Sequence, residues 1–439
     1  VLPTPGNRMY RVTKFLVISL SSALSVLFVL GTVMARQTSP EDVYRHFAVY
    51  TEVLTRIKSE YVEEPDMEGV TLGALHGLLE SIDPFASYLN EEQYQKYLDE
   101  QKVERAGVGL VLSRKIGYVS VVDSIPGSPA DKAGLTTGDL IETIDGVATR
   151  DMPLAYAEML LRGEPGSEVK LSVLRVRLST DPVEVHLVRA PIQYPPVTSQ
   201  IVNGDIGYVK VRSLETGKAA EVARHLKKLK AAGAKKILLD LRRAAAGNPE
   251  EGLALADLFL DEGLMAYVQG QKVPKKEYRA RRETTVSRDP LVVVINRGTA
   301  NGAEVAAAAL LANKRCEVVG EPSYGDAAIR RAVPLRDGGA VILSVAKYHA
   351  PNGDAIQDKR VKPSVVSIAQ ERFPEQPEGE QPRIERAPDL PVHEDPMLQK
   401  AIEVLTKGVS GQVASRGSSA ERRRDGNWLG PLGIPRPPL

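Results

Sequence analysis

Apolar positions follow three different patterns along this chain. Between residues 40 and 105 they recur every three or four positions. Phe47, Tyr50, Val53, Leu54, Ile57 and Tyr61 would line one face of a helix. A second helix is predicted over 70–81, ending before Asp83-Pro84. A third follows Tyr88-Leu89-Asn90, with Glu91 and Glu92 in its first turn, where negative charge suits the helix dipole. From about residue 191 the pattern changes. Short apolar runs at 206–211, 236–241 and 291–296 read as strands, and the stretches 217–232, 250–259 and 302–312 between and after them read as helices. Such alternation predicts an α/β layer domain, with ligands bound where strands end in loops. Residues 373–396 are rich in Pro, Glu and Gln and read as a linker. A short helix over 397–405, begun by Asp395 and Pro396, precedes a Gly-, Ser-, Pro- and Arg-rich stretch at 409–439 expected to be disordered.

The third pattern lies at the N-terminus. Residues 15–35 carry no charge and are long enough to span a bilayer. Arg8, Arg11 and Lys14 precede them, which by the positive-inside rule keeps the N-terminus cytoplasmic and the body outside. Val33-Met34-Ala35 also fits a signal-peptidase site, but the apolar run is longer than an ordinary signal core, which favours an uncleaved anchor. Met9 reads as the start residue.

With 439 residues the chain has room for two or three domains, and 43% hydrophobic residues suffice for their cores. A net charge of +1 and the lack of a basic stripe argue against nucleic-acid binding. Cys316 is the single cysteine, so no intrachain disulfide forms, and its setting predicts a buried, inert thiol. The six histidines (46, 76, 186, 225, 349 and 393) form no catalytic or metal-ligand motif, and no cofactor is expected.

Two segments carry the candidate chemistry: Asn296-Arg-Gly-Thr-Ala-Asn-Gly-Ala-Glu304 and Gly320-Glu-Pro-Ser-Tyr-Gly-Asp326. They resemble the active site of the C-terminal processing (tail-specific) serine peptidases, which use a Ser–Lys dyad in the frames N-x-G-S/T-A-S-A-S-E and G-x-x-S/T-x-G-K-G-x-V-Q. The family's Ser falls at Asn301 and its general-base Lys at Asp326, with the usual spacing kept. Its Gln falls at Arg330. A Ser hydroxyl needs a neighbouring base, here a Lys amine of lowered pKa, and an Asn amide forms no acyl-enzyme. The Asn301 amide is expected to donate to the Asp326 carboxylate and to cap the helix that follows, while Arg330 neutralises Asp326. The family's oxyanion segment Asn-Pro-Gly-Gly corresponds to Ala244, Ala245, Ala246 and Gly247, and Ala246 would close part of that pocket. The Gly302 N–H remains as an oxyanion donor. Thr299, Ser323 and Lys347 are the candidates for a displaced nucleophile and base.

Gly77-Leu-Leu-Glu-Ser-Ile-Asp-Pro-Phe-Ala-Ser-Tyr-Leu89 resembles the family's G-x-L-x-S-L-D-P-H-S-S-Y-L, with Phe85 for the usual His. Residues 106–190 resemble a PDZ domain. Gly107, Val108, Gly109 and Leu110 match its carboxylate-binding loop, and the strings Gly127-Ser-Pro-Ala-Asp-Lys-Ala-Gly-Leu135 and Gly138-Asp-Leu-Ile-Glu-Thr-Ile-Asp-Gly146 match its core. A helix over 154–161 would form the second wall of its groove. The resemblance spans about residues 43–408. It implies a multi-domain α/β fold: a helical N-terminal region, a PDZ domain and a ClpP/crotonase-like peptidase core over 191–372. It also implies binding of unstructured polypeptide C-termini, partnership with an active peptidase relative, a homodimer, and membrane attachment through the N-terminus. The expected function is peptide binding without cleavage. The alternatives are an endopeptidase with a displaced nucleophile and a structural envelope protein.

Overall fold

The computed structural model describes residues 40–102, 105–150, 152–175, 181–368 and 389–415. The N-terminal apolar run, most of the linker and residues 416–439 lie outside the described residues. Among those described, no helix is long and apolar enough to cross a membrane.

The chain divides into two units between Ala74 and Leu75. The first contains α1 (Pro40–Glu60) and the start of α2 (Met67–Ile82). Phe47, Tyr50, Val53 and Tyr61 of the predicted apolar face are exposed on α1. The second unit opens with the rest of α2, whose His76 and Leu79 are buried. Next come β1 (Ser87–Leu89) and α3 (Glu91–Glu100). The hydrophobic period foretold three helices but not β1. It is three residues long and buried throughout, too short to show alternation.

The PDZ region follows as β2 (Leu110–Lys115), β3 (Tyr118–Ser124), α4 (Pro129–Lys132), β4 (Leu140–Ile144), β5 (Val147–Ala148), α5 (Leu154–Leu161), β6 (Glu168–Leu174) and β7 (Val183–Val188). Its antiparallel strands run in the order β2-β3-β4-β6-β7, with β5 on β4. Val169, Leu171 and Val173 alternate inward along β6 and meet Val119, Val121, Ile141 and Ile144 in one core.

The peptidase-like region contains β8 (Thr198–Val202), β9 (Ile206–Lys210), β10 (Ser213–Leu214), α6 (Lys218–Ala231), β11 (Lys236–Asp240), β12 (Ala246–Gly247), α7 (Pro249–Asp257), β13 (Leu264–Gln269), β14 (Lys276–Arg279), β15 (Leu291–Ile295), α8 (Gly302–Ala312), β16 (Glu317–Gly320), β17 (Ala328–Pro334), β18 (Ala340–His349), α9 (Ile356–Lys359), β19 (Val365–Val366) and α10 (Pro396–Ser415). One sheet runs β19-β16-β15-β11-β9-β8, parallel except for the β8–β9 hairpin. Parallel strands need cover on both faces, and successive residues supply it. Val209, Leu239, Val293 and Ile295 face the core shared with α6, α7 and α8. Tyr208, Leu238, Val292 and Val294 face Met397, Leu398, Ala401, Ile402 and Leu405 of α10. A second sheet runs β1-β18-β13-β14, with β17 on the free side of β18.

Two expectations are corrected here. Residues 409–415, expected to be disordered, continue α10. Cys316 is half-buried rather than enclosed. Burial still pushes its thiol up to about 12, so it stays protonated and unreactive at neutral pH.

Candidate active site and peptide groove

Strand β15 runs into the turn 296–301 and then into α8. Asn301 sits at the end of that turn with φ 52° and ψ −122°. A non-glycine residue pays for this conformation and keeps it only where its surroundings hold it. The strand–turn–helix form with a strained residue at its tip is the nucleophile-elbow geometry of serine hydrolases. What holds it is Glu304, fully buried on α8. Its Oε2 accepts the Asn301 N–H at 3.1 Å and the Asp326 N–H at 2.7 Å. Its Oε1 accepts the Gly325 N–H at 2.6 Å and the Ser323 hydroxyl. One carboxylate thus ties the elbow to the loop that ends at Asp326. Sequence reasoning passed over Glu304, although it is the only charged residue in the apolar helix 302–312.

The expected hydrogen bond between Asn301 and Asp326 does not form. The Asp326 carboxylate pairs instead with the Arg330 guanidinium, a stronger partner than a neutral amide. That guanidinium lies 4.0 Å from the centre of the Phe85 ring, a cation–π contact. Phe85 meets Tyr324 edge-to-face at 6.4 Å, and the Tyr324 hydroxyl pairs with Ser113 of β2. Phe85, Asp326 and Arg330 therefore form one contact set beside the PDZ region. Asn301 is the N-cap residue of α8, as expected, with φ and ψ outside the extended region usual there. The Glu304 carboxylate three residues on takes its backbone N–H at 3.1 Å, one half of a capping box.

The displaced-nucleophile candidates are all engaged. Thr299 is buried; its hydroxyl donates to the Leu241 carbonyl at 2.9 Å and accepts from the Asn296 N–H at 3.0 Å. Ser323 is buried; its hydroxyl donates to Glu304 and accepts from the Val361 N–H at 2.8 Å. Lys347 pairs with Asp358 at 2.7 Å.

On the oxyanion side, Ala246 and Gly247 form β12, parallel to Ser213 and Leu214 of β10. The Gly302 N–H meets no protein acceptor among the described residues. Gly247 has φ +128°, and a Cβ there would lie 2.3 Å from the Leu214 carbonyl. Gly247→Ala is therefore expected to cost about 2–4 kcal/mol, from backbone strain plus the clash. Urea titration of the variant checks this; an unchanged midpoint would mean β10 moves aside freely.

The PDZ groove lies between β2 and α5, whose extent matches the expected 154–161. In the loop before β2, the carbonyls of Gly107, Val108 and Gly109 accept N–H groups of Ala190 (2.9 Å), Ala130 (2.9 Å) and Ile125 (2.8 Å). A planar trans peptide puts its N–H opposite its carbonyl. The N–H groups of Val108, Gly109 and Leu110 are thereby aimed away from those partners. Those of Val108 and Gly109 have no protein acceptor among the described residues. Such a row of aimed backbone donors suits a carboxylate. On α5, Glu158 is exposed, yet the protein packed around it raises its carboxyl pKa; Asp326 adds to the rise, while Arg162 and Arg330 oppose it. The groove helix and the Asp326–Arg330 pair thus share one electrostatic field.

A Peptidase family S41 profile matches residues 205–367, and a PDZ domain profile matches residues 120–175. The carboxy-terminal processing protease CtpA of Bacillus subtilis is 30% identical over 347 residues, which is 79% of this chain and 74% of that protein. The carboxyl-terminal-processing protease of Synechocystis is 31% identical over 371 residues, covering 83% of each. Among solved structures, the photosystem II D1 C-terminal processing protease superposes with a TM-score of 0.60 at 28% identity, over 73% of this chain and 86% of the other. Relatedness of this degree over most of both chains makes this protein a member of the carboxy-terminal processing proteases of peptidase family S41.

Proposed function

We propose that this member binds the C-termini of unstructured polypeptides through its PDZ groove without cleaving them, and that it does so outside the cytoplasm. The observation that carries the reading is the amide of Asn301 at the tip of the elbow, beside an Asp326 already committed to Arg330. Neither group supplies a nucleophile, and the hydroxyls of Thr299 and Ser323 are committed elsewhere. The aimed N–H groups of Val108 and Gly109 support retention of the binding half. The apolar run at 15–35, with basic residues before it, supports the extracytoplasmic location. A binder of this kind serves as a scaffold, as a decoy, or as a subunit that regulates an active relative.

Purified residues 37–439 would be incubated with an unfolded model protein, beside the Asn301→Ser/Asp326→Lys variant, with peptide binding measured on both. The native chain is expected to bind peptide and leave the protein intact. Cleavage gained by the double variant would add that the scaffold is otherwise competent. Cleavage by the native chain, abolished by Thr299→Ala or Ser323→Ala, would overturn the reading.

A further inference from the structure

The loop 107–110 does not stand alone. It packs directly on the segment 125–131: a Cβ at Gly109, where φ is +77°, would lie 2.2 Å from the Ser128 Cβ. The same segment supplies the Ile125 and Ala130 N–H groups that aim the loop's donors. Asp131 organises this segment from within. Its Oδ2 accepts the Gly127 N–H at 2.8 Å, and its own N–H donates to the Ser128 hydroxyl at 3.2 Å.

Asp131 is gripped in turn by a residue outside the PDZ region. Arg243 follows β11 and precedes β12. Its Nη2 donates to Asp131 Oδ1 at 2.8 Å and to the Ser124 carbonyl at 3.4 Å, and its Nε lies 3.3 Å from Asp123 Oδ2. All three charged side chains are largely buried, at 12%, 20% and 1% exposure for Arg243, Asp131 and Asp123. The Arg243 backbone is held as well. It sits at φ 58°, and its N–H donates to Asn296 Oδ1 at 3.0 Å, at the base of the elbow turn. A strained residue held at both ends is a fixed support.

We infer that Arg243 is a positioning residue for carboxylate recognition: by fixing Asp131 it sets the segment that aims the Val108 and Gly109 N–H groups. This rests on the peptide-binding reading above. It also makes the loop's affinity for a carboxylate depend on a side chain of the peptidase-like region. A planar guanidinium that reaches two carboxylates and a carbonyl does this in a way the single point charge of lysine does not.

The test compares two peptides on the full chain, identical except that one ends in a free carboxylate and the other in an amide. Arg243→Gln is expected to weaken the acid peptide about five- to tenfold, the range of a typical coupling between linked sites. The amide peptide should change less than about twofold, because it does not use the aimed donors as an anion would. Asp131→Asn should reproduce the selective loss, and the double variant should be no worse than the weaker single one. Arg243→Lys should restore only part of the preference. A general loss of folding would lower both peptides together, and the Asp131→Asn and Arg243→Lys variants keep the test open if Arg243→Gln does not fold. A wild-type chain that binds neither peptide, or both equally, removes the peptide-binding reading. A wild-type preference that survives in folded Arg243→Gln, or in Asp131→Asn, removes this inference alone.

Discussion

Asp240→Asn is expected to lower the unfolding free energy by about 3–5 kcal/mol, the cost of breaking a buried ion pair by removing one partner. Asp240 closes β11 and is fully buried. It accepts from the Tyr208 hydroxyl at 2.8 Å and from Arg242 Nε and Nη2 at 2.9 Å each, and it pairs with Arg212 at 3.3 Å. Asparagine keeps the shape but removes the fully buried anion the two arginines share, leaving Arg212 with the half-exposed Asp389 at 3.3 Å and Arg242 with Asp395. The effect spreads to α10, because Arg242 also grips Asp395 at 2.7 Å, and Asp395 caps that helix through the Met397 and Leu398 N–H groups. Burial alone would raise the Asp240 carboxyl, but Arg212 and Arg242 outweigh it and hold the pKa well below the ordinary 3.8. A depressed carboxyl contributes stability above its unfolded pKa, and that stability is lost as pH falls through the folded value. The wild type should therefore lose stability in acid more steeply than Asp240→Asn. Denaturant titrations at pH 7 and pH 3 measure both effects. A cost below about 1 kcal/mol at pH 7 would mean the arginines find other anions or water.

Much of this fold is legible in the sequence because its strands are buried on both faces and written as unbroken apolar runs, such as 237–239 and 291–295. What stayed hidden has a physical cause. β14 is a largely exposed, polar strand, the apolar run of β17 is broken by Arg330 and Arg331, and β1 is too short to show a pattern. At the site, motif spacing placed Asn301, Asp326 and Arg330 in one neighbourhood, and the Asp326–Arg330 ion pair formed as expected. Motif spacing did not reveal which groups bond. The pairing of Asn301 with Asp326 fails because backbone N–H groups on both loops turn toward Glu304, and because Arg330 reaches the carboxylate. Arg243 belongs to no motif; only the three-dimensional approach of 123–131 gives it a role.

Glu304 carries the second large effect, and its sign with pH is the sharper test. Burial pushes the Glu304 carboxyl up to about 7, and the neighbouring Asp326 carboxylate adds to the rise, against the pull of Ser323 and the N–H groups of Asp326 and Gly325. A folded pKa above the ordinary 4.5 means the folded state holds its proton more tightly than the unfolded chain. That stability is fully present below about 4.5 and is lost as pH rises through about 7. The difference amounts to about 3 kcal/mol. Glu304→Gln removes the titration. It also turns an amide NH2 toward one pair of donors, and two buried donors left without an acceptor cost about 2–6 kcal/mol together. The variant is thus expected to be less stable than the wild type throughout, with the gap narrowing as pH rises from 5 to 8. Urea titrations of both proteins at half-unit pH intervals read that gap. A gap that widens with pH would mean the four donors hold Glu304 ionised and that burial loses. The consequence for the site is direct, since this carboxyl ties the Asn301 elbow to the Asp326 loop. If the gap narrows as expected, the tie between the Asn301 elbow and the Asp326 loop loosens in mild alkali, as Glu304 ionises.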